Sequence, residues 1–183
     1  MNQETLIEEC KLNNKRAQLE LYRKYNQAMF NVAMRMLRNT DNAEDITQDS
    51  FINAFKNIHQ FKGKVSIGAW IKKIVIHKSL NFIKKKELET ISYNKESIEN
   101  LKIENEDNWE FEGEIVLEDV KNNIEKLPTK YKFVLMLYLI EGYDHEEISE
   151  ILNISVIASR TQLMRGKIKL RKLLKQEGYG SES

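Results

Sequence analysis

The chain has 183 residues, 41% of them apolar and 31% charged, with a single cysteine and a single proline. That length suits one ordinary domain or two small ones. The lone Cys10 excludes an internal disulfide and fits a reducing compartment. With no signal peptide and no apolar run of about 18 residues, the chain reads as cytoplasmic. The formal net charge of +1 hides a segregation: residues 87–119 hold twelve acids and two lysines, leaving 27 basic and 16 acidic groups elsewhere.

The spacing of apolar residues is helical from the start, and no strand pattern occurs. Thr5 to Leu12 is a short amphipathic piece. Ala17 to Leu37, with Leu21, Tyr22, Tyr25, Met29, Val32, Ala33, Met36 and Leu37, predicts a core helix of about six turns. Asn39 to Asn42 breaks it, and a second helix is predicted from Ala43, with Asp41 and Glu44 as its capping box. His59 to Ser66, around Gly63, reads as a loop. A third long helix runs from Ile67 to about Lys86. Between Ser50 and Lys86 there are nine lysines and no acid, a one-sided surface that seeks a polyanion.

Residues 88–114 change character. Their apolar residues are diluted among acids without a sustained period, which predicts a flexible acidic linker. A tethered polyanion of this kind could compete with DNA for the lysines of the first domain; a solvated spacer is the simpler reading.

Helical periodicity resumes over Ile115 to Leu127. Pro128 stands where a helix begins, since a first turn does not need its missing amide, and Gly142 is a natural C-terminal cap. Asp144 and Glu147 repeat the capping-box spacing. Asn153 and Ile154 then form a tight turn, and Ser155 caps a helix to about Lys175. Short helix, tight turn, longer helix is the helix-turn-helix arrangement. On the last helix Val156, Ser159, Leu163, Leu170, Leu173 and Leu174 share one stripe, with Ala158, Arg160, Thr161, Met164, Arg165 and Lys172 opposite. Arg160 to Lys175 holds seven basic residues and no acid, which suits a recognition helix in a major groove. The fold class expected is therefore all-α: residues 1–87 and 115–176 as two small helical domains, and 177–183 as a tail.

The segments AEDITQDSFINAF and FKGKVSIGAWIKKIVIHKSLNFIKK, followed by KLPTKYKFVLMLYLIEGYDHEEISEILNISVIASRTQLMRGKIKLRKLL, resemble the extracytoplasmic-function group of bacterial sigma-70-type sigma factors. The first half resembles region 2 and the second region 4. The resemblance implies a subunit that binds core RNA polymerase, reads two promoter elements and helps open the duplex between them, without chemistry of its own. It implies polymerase contacts at Asp45, Gln48, Asp49 and Phe55. It implies contacts to the unpaired −10 strand at Lys62, Lys64, Ser66, Trp70, Lys73, His77 and Lys84. It implies −35 contacts at Ser155, which caps the helix, and at Arg160, Thr161, Met164 and Arg165. The family also makes an anti-sigma factor a plausible partner, a membrane-linked one included. The chain departs from the family at Ile67, where phenylalanine is common, and at His77, where asparagine is frequent. It departs again at Ile157 and Ala158, where glycine and threonine are usual.

The residues themselves leave some roles open. Trp70 shares its spacing with Ile74, which favours the core. Asp45, Gln48 and Asp49 would also suit a solvated helix face or dipole partners. No cofactor, metal or small-molecule substrate is expected: His59, His77 and His145 lack ligand spacing, and a glycine-rich phosphate loop, nucleophile elbow and HExxH motif are all absent. A free-standing helix-turn-helix regulator acting without polymerase is the alternative, with an RNA-binding adaptor as a third class.

Overall fold

A computed structural model describes residues 2–90 and 116–179, which are helical throughout apart from turns and short loops. The chain divides into two compact units, residues 1–95 and 96–183. The acidic segment expected as a flexible linker, and its suggested competition with DNA, lie almost wholly outside the described residues.

The first unit contains α1 (Gln3–Lys11), α2 (Lys15–Leu37), α3 (Thr40–Lys56) and α4 (Ile67–Thr90), with a single 3₁₀ turn at Ile58–Gln60. Helices α2, α3 and α4 pack against one another pairwise. Their buried faces carry Leu21, Met36, Phe51, Ile67, Ile71, Ile76 and Leu80, and α1 adds Leu6, Ile7 and Cys10. Cys10 is a core side chain; burial pushes its thiol up to about 11, with Glu20 and Glu9 adding to the effect.

Each of the first three helices starts at an asparagine. Asn2, Asn14 and Asn39 accept backbone N–H groups of the first turn through their side chains, which satisfies donors that no carbonyl reaches. The capping box expected at Asp41 and Glu44 does not form. Arg38 ends α2 in a left-handed conformation (φ 51°), and Asn39 accepts the Asn42 N–H at 2.9 Å. Helix α3 therefore begins at Thr40, three residues earlier than expected, and Asp41 lies in its first turn, where a carboxylate meets the positive end of the helix dipole.

The second unit contains α5 (Leu117–Glu125), α6 (Thr129–Leu135), α7 (His145–Leu152) and α8 (Val156–Gln176). Pro128 precedes the first residue of α6 as expected, but the helix does not run evenly to Gly142: Met136–Ile140 is a π-helical turn. Tyr138 and Leu139, which a regular helix would share with the core stripe, are left exposed there. Gly142 follows at φ 76°, a conformation that side chains with a Cβ rarely adopt.

Helix α8 crosses α6 closely at Gly166, where a Cβ would stand 3.0 Å from Leu135 Cδ1 and 3.3 Å from Tyr131 Cβ. Its C-terminal end is tied to α5. The buried Asn123 donates to Glu177 Oε2 at 2.6 Å, Lys126 donates to Glu177 Oε1 at 2.6 Å, and Tyr179 donates to Asp119. These hydrogen bonds hold the Glu177 carboxyl below the usual carboxylate range. Residues 177–179, placed in a tail by the sequence, are thus engaged by the unit.

Candidate functional surfaces

On α3 the buried residues Ala43, Thr47, Ser50, Phe51 and Ala54 define the inner face. Thr47 and Ser50 are accommodated because their hydroxyls donate to the carbonyls of Ala43 and Ile46, each at 2.6 Å. The opposite face presents Asp45, Gln48 and Asp49, all exposed. Ile52 continues that stripe one turn on and is 51% exposed. It was missed at the sequence level, although the same i, i+3, i+4, i+7 spacing includes it. Phe55 is half-buried beside Phe51, with ring centroids 6.0 Å apart. Asp49 lies 3.6 Å from Lys78 of α4, so the acidic face borders the basic one.

The loop before α4 exposes Lys62 and Lys64. Ser66, also exposed, accepts the Ala69 N–H at 3.2 Å and so caps α4. Ile67 is fully buried. Trp70 is neither core nor free-standing: it is half-buried, with its ring tilted against Phe61 at 5.6 Å. Lys73, His77 and Lys84 follow at helical spacing along the same face. His77 is half-buried; burial lowers its pKa, and Lys73 and Lys84 lower it further, so the neutral imidazole is favoured.

In the second unit the local chemistry of the helix-turn-helix matches the sequence reading. Asp144 and Glu147 form the reciprocal capping box, Asn153 takes the left-handed conformation (φ 55°) that ends α7, and Ser155 accepts the Ala158 N–H at 3.0 Å to start α8. Arg160 and Arg165 are exposed, Thr161 and Met164 half-exposed. The Thr161 hydroxyl donates back to the Ile157 carbonyl at 2.9 Å. Behind this face the fully buried Ser159 meets His145 Nδ1 at 2.9 Å, and the His145 ring stacks on Tyr138 with centroids 5.1 Å apart. The sequence assigned no role to His145, and its spacing to Ser159 holds no motif that could have found this pair.

Among the described residues there is no cluster of His, Cys, Asp and Glu that could hold a metal ion, and no helix long and apolar enough to cross a membrane.

The family model described as Sigma-70 region 2 matches residues 21–89, and that of Sigma-70 region 4 matches residues 117–170. The chain is 30% identical over 177 residues to the ECF RNA polymerase sigma factor SigW of Bacillus subtilis, covering 92% of this chain and 95% of that protein. It is 28% identical over 156 residues to the RNA polymerase sigma factor YlaC of the same organism, covering 84% and 89%. Among solved structures, the fold is shared with the sigma factor RpoE in complex with the anti-sigma factor NepR from Bartonella quintana. That match has a TM-score of 0.60 at 20% identity and covers 85% of this chain and 95% of that one. It is likewise shared with CnrH in complex with the cytosolic domain of CnrY, at a TM-score of 0.60 and 21% identity, covering 95% and 97%. The two sigma regions, in order and on two separate helical units, place the chain in the sigma-70 family: it belongs to the ECF group of sigma factors, which direct RNA polymerase to promoters.

Proposed function

We propose that this sigma factor divides its work among three faces. The exposed stripe Asp45, Gln48 and Asp49 with Phe55 docks on core RNA polymerase. Lys62, Lys64, Ser66, Trp70, Lys73, His77 and Lys84 hold the unpaired −10 strand, the lysines serving the phosphates and the half-buried Trp70 ring offering a stacking surface. Arg160, Thr161, Met164 and Arg165, on a helix started by Ser155, contact the −35 duplex in the major groove. The observation that carries this reading is the coexistence in one chain of an acidic polar stripe beside a lysine-lined helix and a separate helix-turn-helix with outward arginines. The protein performs no chemistry itself and works in the cytoplasm.

Two modest DNA grips on one chain gain affinity by effective concentration once the polymerase holds both. An anti-sigma factor is the second proposed partner, supported by the two fold relatives that were solved with NepR and with CnrY. In vitro transcription with purified core polymerase tests the assignment. Promoter-specific transcripts that require this chain are expected; tight promoter binding by the chain alone, with no dependence on polymerase, would instead identify a free-standing regulator.

A further inference from the structure

Ile157 has the most exposed large apolar side chain among the described residues, at 78%. It lies in the first turn of α8, next to the Ser155 cap, and no packing within its unit accounts for it. A β-branched residue in a helix also gives up rotamer freedom for no local gain. Its direction is set by the helix: Ser159, Leu163, Gly166, Leu170 and Leu174 are the buried residues of α8, and Ile157 falls on the opposite side. Thr161 and Met164 follow it at i+4 and i+7 on that outer face, flanked by Arg160 and Arg165.

The Thr161 hydroxyl is engaged with the Ile157 carbonyl, and the Thr161 methyl is the apolar part of a side chain that shares the outer face of α8 with Ile157. Ile157, Thr161 and Met164 therefore form an apolar line between two guanidinium groups. In the major groove the one apolar feature of a base edge is the C5-methyl of thymine, and a recognition helix meets base edges with its N-terminal residues.

We propose that Ile157 is a specificity residue for the −35 element and seats its side chain, with the Thr161 methyl, against the C5-methyl of a thymine. This rests on the assignment of α8 to the −35 duplex. Arg160 and Arg165 would supply hydrogen bonds and phosphate attraction, while Ile157 would contribute discrimination by burying a methyl group from water.

The test uses holoenzyme assembled from the full chain and core polymerase, selecting from templates with a randomised −35 element. The parent is expected to enrich thymine at one position where Ile157→Ala does not, with preferences elsewhere unchanged and Ile157→Val restoring the parental choice. Replacing that thymine by deoxyuridine removes only the methyl. It should weaken parental holoenzyme binding about three- to fivefold, the worth of one buried methyl group, and leave Ile157→Ala holoenzyme unaffected. A −35-dependent holoenzyme whose preferences are the same with Ile157→Ala, or a deoxyuridine scan without effect at every −35 position, overturns the role of Ile157 alone. Transcription indifferent to the −35 sequence in the parent overturns the assignment of α8 together with it.

Discussion

His145 at the start of α7 and Ser159 inside α8 meet at 2.9 Å across the helix-turn-helix, with the serine fully buried. This contact fixes α8 to α7 from behind the face proposed to meet DNA. The tie is one hydrogen bond at the Nδ1 position, which a side chain other than imidazole can also make. His145→Ala leaves the Ser159 hydroxyl without its partner, a cost of about 1–3 kcal/mol. Thermal melts of the full chain should show that loss, −35 binding by the holoenzyme should weaken, and His145→Asn should recover part of both.

Gly166→Ala sets two effects against each other. Alanine gains about 1 kcal/mol of helix propensity, but its Cβ would stand 3.0 Å from Leu135 Cδ1, on a side chain that is itself fully buried. Overpacking of this kind costs about 1–3 kcal/mol. Net destabilisation of roughly 1 kcal/mol is expected in denaturant titrations, the balance of those two ranges; an increase in stability would mean that Leu135 yields freely.

Ser79 on α4 is fully buried, and its hydroxyl has no hydrogen-bond partner among the described residues. Removing an unsatisfied polar group from a core is favourable, so Ser79→Ala should stabilise the chain by about 1 kcal/mol. Chemical denaturation of both proteins decides it.

His77 links stability to pH. Its folded-state pKa is lowered by burial and then by Lys73 and Lys84. The unfolded state therefore takes up the proton first as pH falls. The stabilisation is complete above the ordinary histidine value of about 6.5 and is lost as pH drops through the lower folded value. The melting temperature should fall less between pH 7.5 and 5.5 for His77→Gln than for the parent.

Arg165→Ala should weaken −35 recognition by about 1–3 kcal/mol while leaving the fold intact, since the side chain is exposed. Asp49→Lys should impair polymerase binding without unfolding α3, because its ion pair with Lys78 is a largely solvent-exposed contact worth about 0–1 kcal/mol. Footprinting and a core-polymerase pull-down measure the two. Variants that both transcribe like the parent would remove these residues from the proposed faces.

What the chain spells out locally was legible without coordinates. The capping box of Asp144 and Glu147, the turn at Asn153 and the cap at Ser155 rest on contacts within a few residues, where side-chain type alone decides the geometry. The helical periodicity likewise marked the inner stripe of α8 and left Arg160 and Arg165 outside. Contacts between distant segments were not legible. The choice of Asn39 over Asp41 as a cap followed from where α2 ends. The Tyr138–His145–Ser159 contact, the close approach at Gly166 and the link from Asn123 to Glu177, 54 residues away, all depend on how helices meet. Amino-acid order determined which surfaces are charged and which are buried, because burial follows a helix's own period. Only the packing of one helix on another decided which polar groups found partners across the helices.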